Sequence, residues 1–288
     1  MPLSKILVPV DFSERCRGAA YYAEAIHNVF GSKITLLHVL LPTHYELSSM
    51  DVAGSLLEDQ YRFRAEQVEQ DLQAFMADQL PAPHTERILR EGNAAGTIVS
   101  VAQEMGAGLI VMPTHGYGPF RRFILGSVTA QVLHDADCPV WTGVHLEASS
   151  TREVHFKQVT AALDLGPKSE RTLMWAYRFA QGAGAKLALV HATPAFDGHA
   201  GEYFDPELRR QVDIAVREEV GQLLKRLNIV APLHIESGEV SRTVCDLAAD
   251  LETDLLVIGR GSAAGVFGRL RANAYSIIRE SRSPVVSV

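Results

Sequence analysis

Short apolar runs alternate with longer amphipathic stretches along this chain. In the first half the pattern predicts strands at 5–10, 33–40, 85–90, 108–113 and 138–143, and helices at 13–30, 55–79, 94–106 and 127–135. The run Leu109-Ile110-Val111-Met112 is apolar at every position, as expected of a parallel strand covered on both faces. The helix-like stretches carry apolar residues near helical spacing, for example Tyr61, Ala65, Val68, Leu72, Phe75 and Met76 between Glu58 and Leu80. Strict alternation of the two patterns predicts an α/β fold, a doubly wound parallel sheet with helices on both faces. In such sheets a ligand lies beyond the carboxyl ends of the strands. Asp11, Val39 and the loop after Met112 all fall there.

The pattern then repeats. Ile6-Leu7-Val8-Pro9-Val10-Asp11 is echoed by Val159-Thr160-Ala161-Ala162-Leu163-Asp164, and Leu36-Leu37-His38-Val39 by Leu189-Val190-His191-Ala192, both 153 residues later. Gly92, Thr97 and Leu109-Ile110-Val111 recur at Gly238, Thr243 and Leu255-Leu256-Val257, at an offset of 146. A period this long is a whole domain rather than a solenoid unit. The expected organisation is two tandem doubly wound domains, 1–145 and 156–288, each a five-stranded parallel sheet, joined by a linker around Glu147 to Thr151. Each half ends on a Pro-Val strand, Pro139-Val140-Trp141 and Pro284-Val285-Val286. These read as sheet edges that invite pairing.

The densest chemistry follows the fourth strand. Thr114-His115-Gly116, nine further residues, and Gly126-Ser127-Val128-Thr129 place glycines and hydroxyls between a strand and a helix. Glycine lets the backbone approach an anion, and the first N–H groups of a helix point outward without partners. Ser127 and Thr129 add hydroxyl donors. Against this stand the roles of turn residue and helix cap, which the same residue types also fill. Asp11 is either an acceptor for sugar hydroxyls or a cap of the next helix. His38 and His191 read as structural histidines within apolar strands. Cys16, Cys138 and Cys245 read as small apolar residues.

Composition bounds the alternatives. The 288 residues carry a formal net charge of -7, against a general nucleic-acid or anionic-membrane surface. No apolar run is long enough to span a bilayer, and no signal peptide is visible. Three widely spaced cysteines do not form a disulfide framework, and the eleven histidines show no metal-site spacing. A reducing, cytoplasmic setting is the expectation.

The residues Val8-Pro9-Val10-Asp11-Phe12-Ser13, Leu37-His38-Val39, Gly92-Asn93 before a helix, and the loop through Gly116, Gly126 and Ser127 to Cys138-Pro139-Val140 resemble the universal stress protein family in its tandem two-domain form. The family motif is Gly, two residues, Gly, nine residues, then Gly-Ser or Gly-Thr. Here Pro113 occupies the first glycine position, and it has no N–H to donate. The resemblance implies an adenine nucleotide alpha hydrolase-like fold and ATP, or another adenine nucleotide, bound with or without Mg2+. It implies an adenosine pocket of Val10, Asp11, Val39 and Met112 and phosphate contacts from Gly116, Gly126, Ser127, Val128 and Thr129; Pro9, Pro113, His115 and Arg122 are further nucleotide-binding candidates, His115 and Arg122 standing equally as exposed loop residues. It also implies that the last strands pair the two halves into an internal pseudo-dimer; a homodimer of chains has no motif of its own.

In the second half the loop reads Gly259-Arg260-Gly261-Ser262, and counting forward or back places Ala272-Asn273 or Arg271-Ala272 at Gly126-Ser127; neither supplies the Gly-plus-hydroxyl pair, so one regular nucleotide site is expected, with Arg260, Arg269 and Arg271 left as candidate ligands for some other anion. The absence of a Walker lysine argues for a sensor or switch rather than a fast enzyme. The alternatives are a nucleotide-independent interaction or chaperone-like protein, a slow ATP hydrolase, and an AMP-forming ligase or hydrolase, whose relatives carry a Ser-Gly-Gly-rich loop where this chain has Asp11-Phe12-Ser13-Glu14.

Overall fold

A computed structural model describes residues 3–41, 51–114, 125–143, 154–193, 206–260 and 272–288. Among them the first half contains β1 (Lys5–Pro9), α1 (Glu14–Phe30), β2 (Lys33–Leu40), α2 (Asp51–Ala74), β3 (Thr85–Glu91), α3 (Ala94–Met105), β4 (Leu109–Val111), α4 (Ser127–Asp135) and β5 (Val140–Thr142). The second half repeats the series as β6 (Gln158–Ala162), α5 (Ser169–Ala183), β7 (Lys186–Thr193), α6 (Pro206–Leu227), β8 (Leu233–Ser237), α7 (Val240–Asp250), β9 (Leu255–Ile258), α8 (Ala272–Glu280) and β10 (Val285–Ser287).

All ten strands belong to one sheet in the order β3-β2-β1-β4-β5-β10-β9-β6-β7-β8. Within each half every pairing is parallel; the halves meet antiparallel, with Val285 opposite Thr142, Val286 opposite Trp141 and Ser287 opposite Val140. The two Pro-Val strands therefore cover each other's edges, which is the internal pairing expected of them. Strand side chains alternate between two apolar layers. Ile6, Val8, Leu36 and Trp141 pack with α1, α2, α5 and α6, while Leu7, Leu37, Ile110 and Val140 pack with α3, α4, α7 and α8. Because both faces are covered, the inner strands β4, β5 and β9 are buried along their whole length, while the outer β3 keeps charged residues. Across the junction, Trp141 is fully buried among the rings of Tyr22, Phe156 and Phe179.

The second helix differs from its expected span of 55–79: it stops at Ala74. Met76 takes a left-handed conformation, φ 49°, which ends the helical path. Arg87 on β3 then donates to the carbonyls of Leu72, Phe75 and Leu80, satisfying acceptors that the helix end leaves open. Leu72, Phe75, Met76 and Leu80 are all buried, so the apolar spacing is real but spans a helix and a turn. Among the described residues no helix is long and apolar enough to cross a membrane.

Candidate functional site

The site begins where β1 ends. Phe12 has φ 63°, a left-handed turn that costs a non-glycine residue about 1–2 kcal/mol. The turn brings Asp11 Oδ1 within 3.0 Å of the Ser13 N–H and 2.9 Å of the Cys16 thiol, both of which donate to it. Ser13 in turn is the N-cap of α1, accepting from the Cys16 N–H. The Phe12 ring stacks on His38 at 4.7 Å, and His38 Nδ1 lies 2.8 Å from the carbonyl oxygen of Val10. His38 is thus tied structurally, as its sequence setting suggests, yet it also lines the cleft. Ser13, rather than Asp11, caps the helix; the turn holds the Asp11 carboxylate in a fixed orientation.

The thiol of Cys16 is buried, and burial, reinforced by the Asp11 carboxylate, pushes its pKa far above the ordinary 9.0. Burial likewise pushes the Cys245 thiol up to about 12. A thiol whose folded pKa is raised contributes stability that is intact below the unfolded pKa and lost as pH rises past it. Unfolding free energy is therefore expected to fall above pH 9.0, by up to about 1.4 kcal/mol per pH unit for the buried Cys16 thiol and by less for the partly exposed Cys245. Urea titrations of the wild type and Cys16→Ser at rising pH check this. The Cys16→Ser curve should fall less steeply, and parallel curves would refute the assignment.

The opposite side of the cleft forms after β4. Gly126 donates its N–H to the Thr114 carbonyl at 2.8 Å, which brings the start of α4 back beside the end of the strand. Gly126 is the N-cap of α4 and supplies no side-chain bond to the helix. The first-turn N–H groups of Ser127, Val128 and Thr129 are left for a ligand or solvent. Gly126 has φ -62° and ψ 145°, an extended conformation open to any residue, so its backbone does not demand glycine. Thr129 needs a correction. Its buried hydroxyl donates to the Pro113 carbonyl at 3.0 Å, so its proton is unavailable to a phosphate. Thr129 locks α4 to the strand end, while Ser127 is exposed.

Between these two sides lies a cleft of about 240 Å³. Pro9, Val10, Asp11, Val39, Met112, Pro113, Gly126, Ser127, Val128 and Thr129 all line it, uniting segments more than a hundred residues apart. His115, Gly116 and Arg122 lie outside the described residues. Cys16, Leu37, His38, Ala94 and Ile98 also line the cleft and were not among the expected site residues. For Cys16 the repeat held the signal. Five residues after Asp164 stands Ser169, whose hydroxyl donates to Asp164 Oδ1 at 3.0 Å, as the Cys16 thiol does to Asp11.

The model of the universal stress protein family matches residues 2–142 and again residues 155–288. The chain belongs to the universal stress protein family. It is 28% identical over 189 residues to a universal stress protein of Mycolicibacterium smegmatis, a match spanning 65% of this chain and 63% of that relative. Over almost its whole length it is similar to a universal stress protein of Mycobacterium bovis, 24% identical across 98% of this chain and 95% of that one. The crystal structure of a universal stress protein from Archaeoglobus fulgidus shares the fold with a TM-score of 0.72, at 23% identity, covering 100% of this chain and 98% of that one.

The second universal stress protein unit keeps one side of the site. Leu165 repeats the left-handed turn with φ 53°, and Asp164 Oδ1 accepts from the Gly166 N–H at 3.0 Å. His191 Nδ1 lies 2.7 Å from the Leu163 carbonyl oxygen, as His38 lies beside Val10. On the other side, α4 and α8 each bury their third, sixth and seventh residues, Thr129, Val132 and Leu133 against Ala274, Ile277 and Ile278. Ala272 therefore stands at the place of Ser127. The reading of Arg260 as an anion ligand is overturned. Its guanidinium is buried, donating to the carbonyls of Leu133, Ala136 and Cys138 at the far end of α4. Arg269 and Arg271 lie outside the described residues.

Proposed function

We propose that the first cleft binds ATP or a related adenine nucleotide, and that the chain acts as a cytoplasmic stress-response sensor or switch rather than a fast enzyme. The observation that carries this reading is the pairing of a fixed carboxylate, Asp11, with an uncapped helix N-terminus across one apolar cleft. Asp11 Oδ1 is engaged by Ser13 and Cys16, and the carboxylate is set to accept from ribose hydroxyls. Val10, Val39, Ile98 and Met112 give apolar walls for a flat base. The N–H groups at Ser127 and Val128 favour phosphate oxygens.

Mg2+ would arrive on the phosphates. Asp11 is the one carboxylate among the described lining residues, and among the described residues no group of three His, Cys, Asp or Glu could hold a metal. No lysine or arginine is among the described lining residues, and Arg121 and Arg122 lie outside the described residues.

Mass spectrometry of ligand released from gently purified protein, followed by calorimetry with ATP, tests the reading. One nucleotide per chain at submillimolar concentration is expected, with turnover too slow to exceed a few events per minute. Absence of heat, unchanged in Gly126→Val with Ser127→Ala, would favour a nucleotide-independent interaction protein. Fast multi-turnover hydrolysis abolished by Asp11→Ala would make it an enzyme.

A further inference from the structure

The two ends of α4 belong to different parts of the molecule. Its first residues, Ser127, Val128 and Thr129, line the first cleft. Its last carbonyls face the second unit. There Arg260 Nη1 donates to the Ala136 carbonyl at 2.7 Å and the Leu133 carbonyl at 3.4 Å, and Nη2 donates to the Cys138 carbonyl at 2.5 Å. The guanidinium is buried, so its charge acts through protein and is little screened by salt. The helix has nine residues, which puts its ends roughly 14 Å apart.

Packed contacts join the ends. At the cleft, the Thr129 hydroxyl and the Gly126 N–H donate to the carbonyls of Pro113 and Thr114. Mid-helix, Val132 and Leu133 are fully buried in the same apolar layer as Ile277 and Ile278 of α8, and the Tyr275 hydroxyl of α8 lies 3.5 Å from the Ala130 carbonyl oxygen. Arg260 is itself fixed, because its N–H donates to the Val288 carbonyl just beyond β10. The repeat makes this grip one-directional. At the offset of 146 that relates the later parts of the halves, the counterpart of Arg260 is Thr114. Its hydroxyl donates to the Gly143 carbonyl of its own half at 3.3 Å. The long cation at this position belongs to the second unit alone.

A helix carries partial positive charge at its N-terminus and partial negative charge at its C-terminus. A guanidinium on the C-terminal carbonyls cancels the negative end and adds a whole charge that favours an anion at the other end. We propose that Arg260 is a positioning residue for the first cleft. The second unit, acting through α4, holds and charges the helix end that meets the phosphates, and so sets the preference of that cleft for a nucleotide over its nucleoside. This rests on reading the first cleft as the nucleotide site. Arg260 itself touches no ligand. The unit with the degenerate motif is then a regulator of its neighbour, and by reciprocity nucleotide in the first cleft tightens the junction.

Calorimetric titration of ATP and adenosine into the full chain tests this, with circular dichroism to confirm that each variant is folded. Arg260→Met keeps most of the stem and loses the charge. It is expected to bind ATP about fivefold more weakly than the wild type, the size of effect that a unit charge roughly 14 Å away exerts through protein. Adenosine, which carries no charge, should stay within about twofold. Arg260→Lys restores the charge without the guanidinium fork and should bring ATP affinity back to within about twofold of the wild type. A purely structural role would weaken both ligands alike and would not be rescued by lysine. Unchanged ATP affinity in folded Arg260→Met, an equal loss for adenosine, or lysine no better than methionine would each overturn the proposal. Should Arg260→Met not fold, hydrogen exchange of the wild type carries the test. At matched occupancy the two ligands stabilise the fold equally, so any difference between them is local. ATP should slow exchange of the Arg260 and Val288 N–H groups at least about threefold more than adenosine does, and equal slowing would overturn the proposal. Absence of ATP binding by the wild type would instead remove the first-cleft reading, and this inference with it.

Discussion

Replacing Arg260 with alanine should destabilise the protein by about 3 kcal/mol and lower its melting temperature by roughly 6 °C. The guanidinium is 4% exposed and donates to Ala136 at 2.7 Å, Cys138 at 2.5 Å and Leu133 at 3.4 Å. Leu133 lies in the last turn of α4, and Ala136 is its C-cap, so the cation meets the negative end of the helix dipole and its open carbonyls. Alanine leaves those buried carbonyls without their donor and adds a cavity the length of an arginine stem. Arg260→Met separates the two effects by restoring most of the stem. It should recover the packing part and leave the hydrogen-bond part lost. Arg260 belongs to the second half and α4 to the first, so urea unfolding should also broaden as the halves uncouple. A loss below about 1 kcal/mol in Arg260→Ala would mean that water replaces the guanidinium freely.

Arg260 also marks the boundary of what the chain's pattern can reveal. Strands such as Leu109–Val111 are legible because being buried on both faces writes an unbroken apolar run into the sequence. The duplication is legible because Asp11, His38 and Gly92 each recur as structural positions. Gly92 illustrates the cause: its φ of 144° and the Thr97 hydroxyl 2.6 Å from any added Cβ exclude other residues, so the Gly-Thr pair returns at Gly238 and Thr243. Contacts made at long range leave no such trace. Arg260 reaches carbonyls more than a hundred residues away, and Arg87 closes α2 from 15 residues beyond Leu72. Both are arginines in apolar surroundings, with nothing local to say which acceptor they meet. Thr129 misled for a related reason. A hydroxyl in a glycine-bearing loop reads as a ligand donor, but Pro113 presents a carbonyl that takes its proton. Cys16 was legible only by aligning the halves, where Ser169 exposes its role as a donor to the acid.

Gly126→Val should lower ATP affinity about a hundredfold while leaving adenosine affinity at the first cleft within about twofold. The backbone of Gly126 lies at φ -62° and ψ 145°, where valine is comfortable, so a stability loss of about 1 kcal/mol or less is expected at this N-cap. The branched side chain would stand at the mouth of the first turn of α4, over the N–H groups of Ser127 and Val128. Losing two charge-assisted hydrogen bonds to phosphate costs about 3 kcal/mol, which is the hundredfold factor. Adenosine has no group at that end. On the proposed reading its contacts would be with Asp11, Val39 and Met112, which line the other part of the same cleft. The paired titration therefore reads orientation as well as affinity. Equal weakening of both ligands would place the base, not the phosphates, at α4. Unchanged ATP binding would leave the start of α4 a helix end and nothing more.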